Sequence, residues 1–150
     1  MKSPSTSSPV RLTILRIIWA ALLIGEGTFL ILIIRVLIPN RTVPSQPQPL
    51  LIPISFAMCF TTIPITFFIR RLIFNKARQK AGALTIAAYT TGNIIFWAGC
   101  DGVAFFGMVV ALLNASLWPT IICVAVAMAL QVITFPTGMS IDTPTYPPAD

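Results

Sequence analysis

Residues 83–113, ALTIAAYTTGNIIFWAGCDGVAFFGMVVALL, form a long apolar run with one carboxylate, Asp101, near its middle. At ~1.5 Å of rise per residue, a helix of this length exceeds the ~30 Å hydrocarbon core of a bilayer. An ionised Asp at the centre of a bilayer costs at least ~2.5 kcal/mol. The run therefore predicts a transmembrane helix whose acid is protonated, partnered or turned towards the protein interior.

The composition of the whole chain also indicates a membrane protein. Of its 150 residues, 56% are hydrophobic and 9% are charged, against about 25% charged residues in soluble domains. We predict an all-α polytopic membrane protein, with four transmembrane helices in two antiparallel hairpins. The predicted transmembrane domain, 14–135, has spans at about 14–38, 50–74, 83–113 and 117–135. It lies between a disordered polar leader, 1–13, and an extended or disordered tail, 136–150, that we expect to be dispensable for insertion.

The basic residues sort by side of the membrane. Eight of the ten lie before or at the start of the first span, or at the end of the second span and in its connection to the third, and only Arg35 and Arg41 lie on the other side. Positively charged loops stay in the cytoplasm, so both termini are predicted to be cytoplasmic. We therefore interpret the formal net charge of +6 as a topology signal and as a source of contacts with membrane lipids. We expect no nucleic acid partner. The eight residues are Lys2, Arg11, Arg16, Arg70, Arg71, Lys76, Arg78 and Lys80.

The chain contains no histidine, which excludes His-ligated haem, His-ligated zinc and Ser–His hydrolysis within it. Its three cysteines, Cys59, Cys100 and Cys123, lie one per span without CxxC spacing and are interpreted as packing residues. No nucleophile–base pair can be assembled. We predict that the protein is not an enzyme and holds neither a metal nor another cofactor.

The polar residues within the spans are the candidate functional residues. Glu26, near the centre of the first span, is a second acid at the depth of Asp101, and the third span repeats polar and aromatic residues at helical spacing. The last span, rich in Ala and Val with a single glutamine, Gln131, near its inner end, is interpreted as packing surface. The candidates for ion binding or buried polar contacts are Asp101, Glu26, Asn93, Tyr89 and Trp97. The candidates for close helix packing are Gly25, Gly27, Gly92, Gly99 and Gly102.

Residues 101–113, DGVAFFGMVVALL, resemble the carboxylate helix of rotary ATPase proteolipid (c-type) subunits, although here the acid lies on the first helix of its hairpin. The resemblance implies that Asp101 would carry a translocated proton or sodium ion. The whole chain is similar to uncharacterised small bacterial membrane proteins with four helices and an acid in the third span, which implies the bacterial inner membrane. A central Glu26 in the first of four helices also resembles the small multidrug transporters.

Three functional hypotheses follow. The first is an accessory or scaffold subunit of a larger membrane complex, whose buried protonated acids hydrogen-bond to Tyr89, Asn93 or a partner helix. The second is a proteolipid-like homo-oligomer that translocates protons or cations through Asp101 and Glu26. The third is a small proton-coupled transporter in which Glu26 exchanges a proton for a cationic solute.

Overall fold

The computed structural model describes residues 7–37, 39–40, 50–114, 118, 120–138 and 141. All the regular structure in these residues is helical. The first helix continues from Ile33 to Leu37 as a π-helical turn. The four α-helices are α1 (Ser7–Leu32), α2 (Leu51–Ala81), α3 (Ile86–Leu113) and α4 (Ile121–Ile133).

Three of the four helices are long and apolar enough to cross a membrane, over Arg11–Arg35, Leu51–Lys80 and Ile86–Leu113. The fourth helix has 13 residues, which rise about 20 Å and fall short of the ~20 residues that a helical span needs. The prediction of a full helical span over 117–135 is therefore corrected. The helix begins at Ile121 and ends at Ile133. Its end lies shortly before Pro136, which disfavours the helical conformation of the residue before it.

Two other helix ends differ from the sequence expectation. The first helix begins at Ser7, inside the segment 1–13 that was expected to be disordered; Pro9 is compatible with this start because the first turn of a helix tolerates proline. The second helix continues past 74 to Ala81, through residues rich in the helix formers Ala, Lys, Arg and Gln. It ends at Gly82, whose φ of 65° is the left-handed conformation that glycine adopts readily at a helix end.

The third helix lies at the centre of the bundle. Half of its most apolar window is buried, against 11% in α1 and α2. It packs against α1, α2 and α4, whereas α1 and α2 make no contact with each other in the described part of the chain. The first predicted hairpin is therefore not a packed pair, because α3 lies between its two helices. The large side chains that α3 buries completely include Phe96, Trp97 and Met108.

Two glycines on α3 allow α2 to approach closely. A Cβ atom on Gly92 would lie 2.6 Å from the ring of Phe74, and one on Gly99 would lie 2.5 Å from the methyl group of Thr66. Real Cβ atoms essentially never come within 3.0 Å of such a neighbour. These two positions fix the contact between α2 and α3.

The chain after α4 packs against α1 and α3 without regular structure. Arg16 Nε donates to the carbonyl of Pro136 at 3.2 Å, and the N–H of Gly138 donates to the hydroxyl of Tyr89 at 3.4 Å. Gly138 also packs against Leu12, and Ile141 packs against the core. Part of the predicted tail, 136–138 and 141, is therefore placed by contacts, and both ends of the described chain lie at the same end of the bundle. Residues 139–140 and 142–150 lie outside the described part.

Candidate functional site

The helices bring together the two acids of the described chain. Glu26 on α1 is buried, and Asp101 on α3 is half-buried. Both residues border the same cavity, so their carboxyl groups lie near each other. Since both groups have only acceptor oxygens when ionised, a hydrogen bond between them would require that one carries a proton.

Gln131 on α4 completes this cluster. Its Nε2 donates to Glu26 Oε1 at 2.5 Å, and both side chains are buried. Glu26 Oε2 and Gln131 Oε1 are buried without a hydrogen-bond donor from the described part of the chain. The sequence interpretation of the last span as packing surface missed Gln131, although an isolated amide in an apolar helix is itself a signal, because a buried amide needs a partner.

The C-terminal end of α4 lies beside the cluster and is capped by two tryptophans. Trp19 Nε1 donates to the carbonyl of Gln131 at 2.8 Å. Trp97 Nε1 donates to the hydroxyl of Thr134 at 3.0 Å, and this hydroxyl donates to the carbonyl of Leu130 at 2.7 Å. The bond from Trp19 supplies a donor to a carbonyl of the last helical turn, where intrahelical donors run out. The end of a helix also carries a partial negative charge, which favours a proton or a cation near Glu26.

An open cavity of about 310 Å³ borders both carboxyl groups. Phe29 and Phe105 form one wall, with their rings stacked 4.9 Å apart and inclined by 15°. Apart from the two acids and this aromatic wall, the residues that line the cavity are small or apolar. The full lining is Ala21, Leu22, Gly25, Glu26, Phe29, Asp101 and Phe105.

Three of the five glycines expected to pack closely lie on or near this open face. A Cβ atom on Gly25, Gly27 or Gly102 would meet nothing within 4 Å. The close approach expected at these positions is therefore not made by the described part of the chain itself. In contrast, Gly92 and Gly99 have close neighbours on α2.

The other three candidate residues are buried on α3 but do not bind the acids. Asn93 Nδ2 donates to the carbonyl of Tyr89 on its own helix at 2.8 Å, and the Tyr89 ring stacks on Phe74. Trp97 caps α4 as described above. The expected hydrogen bonds from the acids to Tyr89 or Asn93 are therefore replaced by the contact between Glu26 and Gln131.

The cysteines are all buried, and Cys59 and Cys123 line the same cavity. Among the residues that the structure describes, no three His, Cys, Asp or Glu side chains are grouped so that they could hold a metal ion. The chemistry that the site offers is hydrogen bonding, together with the binding of a proton or a cation by two carboxyl groups.

Comparison with protein-family models, with curated proteins and with solved structures finds no match to this chain. The functional argument therefore rests on the geometry of the site.

Proposed function

We propose that the protein is an accessory or scaffold subunit of a larger complex in the bacterial inner membrane, with both termini in the cytoplasm. The rise from Arg16 to Arg35 is about 28 Å at ~1.5 Å per residue, which matches a hydrocarbon core of ~30 Å. Glu26 lies near the middle of this interval. The two arginines can extend to opposite interfaces, so this placement supports a depth near the bilayer centre for the carboxyl pair.

The observation that carries the proposal is the open cavity at the carboxyl pair. Lipid chains offer no hydrogen-bonding group to Asp101, which is half-buried and lines this cavity. A second transmembrane helix that supplies a polar side chain at this depth would offer one. Gly25 and Gly102 leave room for such a helix, because small residues let helix backbones approach closely in a membrane. We therefore propose that a partner helix with a polar donor packs on this face of α1 and α3.

Filling the cavity tests the subunit proposal. Gly25→Leu adds a bulky side chain that projects where we expect the partner helix, and its Cβ meets nothing within the chain. We expect this variant to accumulate normally but to lose its co-purifying chains in a native detergent extract. Ala125→Leu is the matched control, because Ala125 is exposed on α4 away from the cavity. Equal recovery of the complex from both variants would contradict the proposed docking face.

The position of Glu26 and Asp101 at one cavity favours a second candidate function, proton or cation translocation by a homo-oligomer. Two neighbouring carboxyl groups can pass a proton between them, and intramembrane acids often mark proton paths. Asp101→Asn separates the two functions, since an amide retains the hydrogen bonds of a neutral acid but cannot exchange a proton. Our proposal expects assembly of Asp101→Asn and no proton flux in vesicles that contain the wild-type chain. Wild-type flux that Asp101→Asn abolishes would instead support translocation.

The topology has its own test. A reporter fused after Asp150 should be active only in the cytoplasm, because both ends of the described chain lie at one end of the bundle and most basic residues flank that end. Activity of the fusion only outside the cytoplasm would refute the proposed orientation.

A further inference from the structure

A second polar site lies on α2, away from the carboxyl pair. Four side chains of this helix surround an open depression of about 290 Å³. They are Phe67, Arg70, Arg71 and Phe74, and their spacing of three, four and seven residues places them on one helical face. Two guanidinium groups thus share one small depression with two aromatic rings.

The guanidinium of Arg70 is held between two aromatic rings. Its central carbon lies 5.2 Å from the centroid of the Phe74 ring and 5.5 Å from that of Phe96 on α3. The aliphatic part of the side chain passes beside Gly92, where a Cβ atom would lie 3.4 Å from Arg70 Cγ. Contacts on several sides fix the position of this cation before any ligand binds, which lowers the entropy cost of binding.

No counter-charge reaches Arg70 from the part of the chain that the structure describes. The two acids in that part, Glu26 and Asp101, line the other cavity. Arg70 Nε is buried and has no hydrogen-bond partner among the described residues. A partly buried guanidinium without a counter-charge is costly, so an anion in the depression, beside Arg70 and the exposed Arg71, would stabilise this arrangement.

We propose that this depression binds the phosphate of an anionic phospholipid. Adjacent guanidinium groups match the planar, bidentate geometry that phosphate oxygens accept. Phe67, Phe68 and Leu72 are apolar and largely exposed beside the arginines, which suits acyl chains and not a free ion. The next residues of α2 include Lys76, Arg78 and Lys80, and clusters of this kind attract anionic lipids at the cytoplasmic surface. The site is independent of the proposed subunit role.

Lipid titration of the purified full-length chain tests this site. Native mass spectrometry of the delipidated protein in detergent would compare dioleoylphosphatidylglycerol with dioleoylphosphatidylcholine. We expect preferential retention of phosphatidylglycerol, and a loss of about tenfold in its affinity for Arg70→Gln or Arg71→Gln, the size expected of one charge-assisted hydrogen bond. Lys76→Gln removes the same charge from an exposed position of the same helix, and it should leave the affinity within about twofold.

Three results would overturn the proposal. Both lipids carry a phosphate, but only phosphatidylglycerol has a net negative charge. Equal retention of the two lipids would show that the site does not select an anionic lipid. An equal loss in Lys76→Gln would show a general attraction by the basic end of α2. Displacement of phosphatidylglycerol by an equal concentration of inorganic phosphate would identify a site for the free anion. Arg71 is exposed, so Arg71→Gln carries the test if circular dichroism shows that Arg70→Gln does not fold.

Discussion

The contact between α2 and α3 can be tested with the same substitution at two glycines of one helix. Gly99→Ala places a Cβ atom 2.5 Å from the methyl group of Thr66, 2.9 Å from its hydroxyl oxygen and 3.1 Å from its Cβ. Gly102→Ala places a Cβ atom where nothing lies within 4 Å. The side chain of Thr66 cannot easily turn away, because its hydroxyl donates to the carbonyls of Thr62 and Ile63 at 2.9 and 3.1 Å.

These distances predict changes of opposite sign in the free energy of unfolding. Alanine is about 1 kcal/mol better than glycine in a helix interior, and Gly102→Ala should gain up to that amount. At Gly99 the same gain is offset by overpacking, which typically costs about 1–3 kcal/mol. We therefore expect Gly99→Ala to be less stable than Gly102→Ala by about 1–3 kcal/mol.

This difference can be measured by unfolding the purified chain in mixed micelles. The fraction of a denaturing detergent is raised, and the loss of helicity gives the midpoint. The double variant Gly99→Ala, Thr66→Ala should recover part of the loss, because it removes the methyl group and the hydroxyl that the new Cβ atom meets. Equal midpoints for Gly99→Ala and Gly102→Ala would refute the close packing of α3 on α2.

Two further predictions follow from the contacts of α4 and of the chain after it. Trp97→Phe should cost about 1–2 kcal/mol in the same titration, because it removes the donor to Thr134 and leaves a small cavity; an unchanged midpoint would contradict this capping role. A chain truncated after Phe135 should still insert, but it should be digested by added protease faster than the full chain, because it lacks the contacts that residues 136–138 and 141 make with α1 and α3; equal digestion would show that these contacts contribute no stability.

The number and approximate positions of the helices follow from composition, since backbone groups in a bilayer must bond within their own segment and apolar runs of this length therefore become helices. The central part of α3 is an example, because its apolar run and its acid are plain in the sequence. The ends of the helices are less visible. The second span is predicted to end at 74, before the basic residues, but the helix continues through them to Ala81. The reason is that Lys and Arg are good helix formers as well as topology signals.

The neighbours of each helix could not be predicted, and the reason is physical. In a soluble bundle the apolar face of a helix points to its neighbours, but a transmembrane helix is apolar on all sides and lipid replaces protein without a hydrophobic cost. The hydrophobic pattern of α1 therefore does not indicate that α1 packs on α3, or that α1 makes no contact with α2. Only close-packed glycines such as Gly99 and polar residues such as Glu26 carry that information, and the sequence does not say which partner each one meets.

The contact between Gln131 and Glu26 shows how a helix end can set a functional site. A buried amide needs a partner, and Glu26, Asn93 and Asp101 all offer one within the bundle. The choice depends on where α4 lies along the bundle, since a shift of one turn would move its side chains by about 5.4 Å along the axis. α4 ends at Ile133, two residues after Gln131. Trp19 donates to the carbonyl of Gln131, and Trp97 donates to the hydroxyl of Thr134. These two bonds hold the end of α4 at the level of the carboxyl pair, so the loss of both donors would loosen the contact between Gln131 and Glu26 without changing either residue.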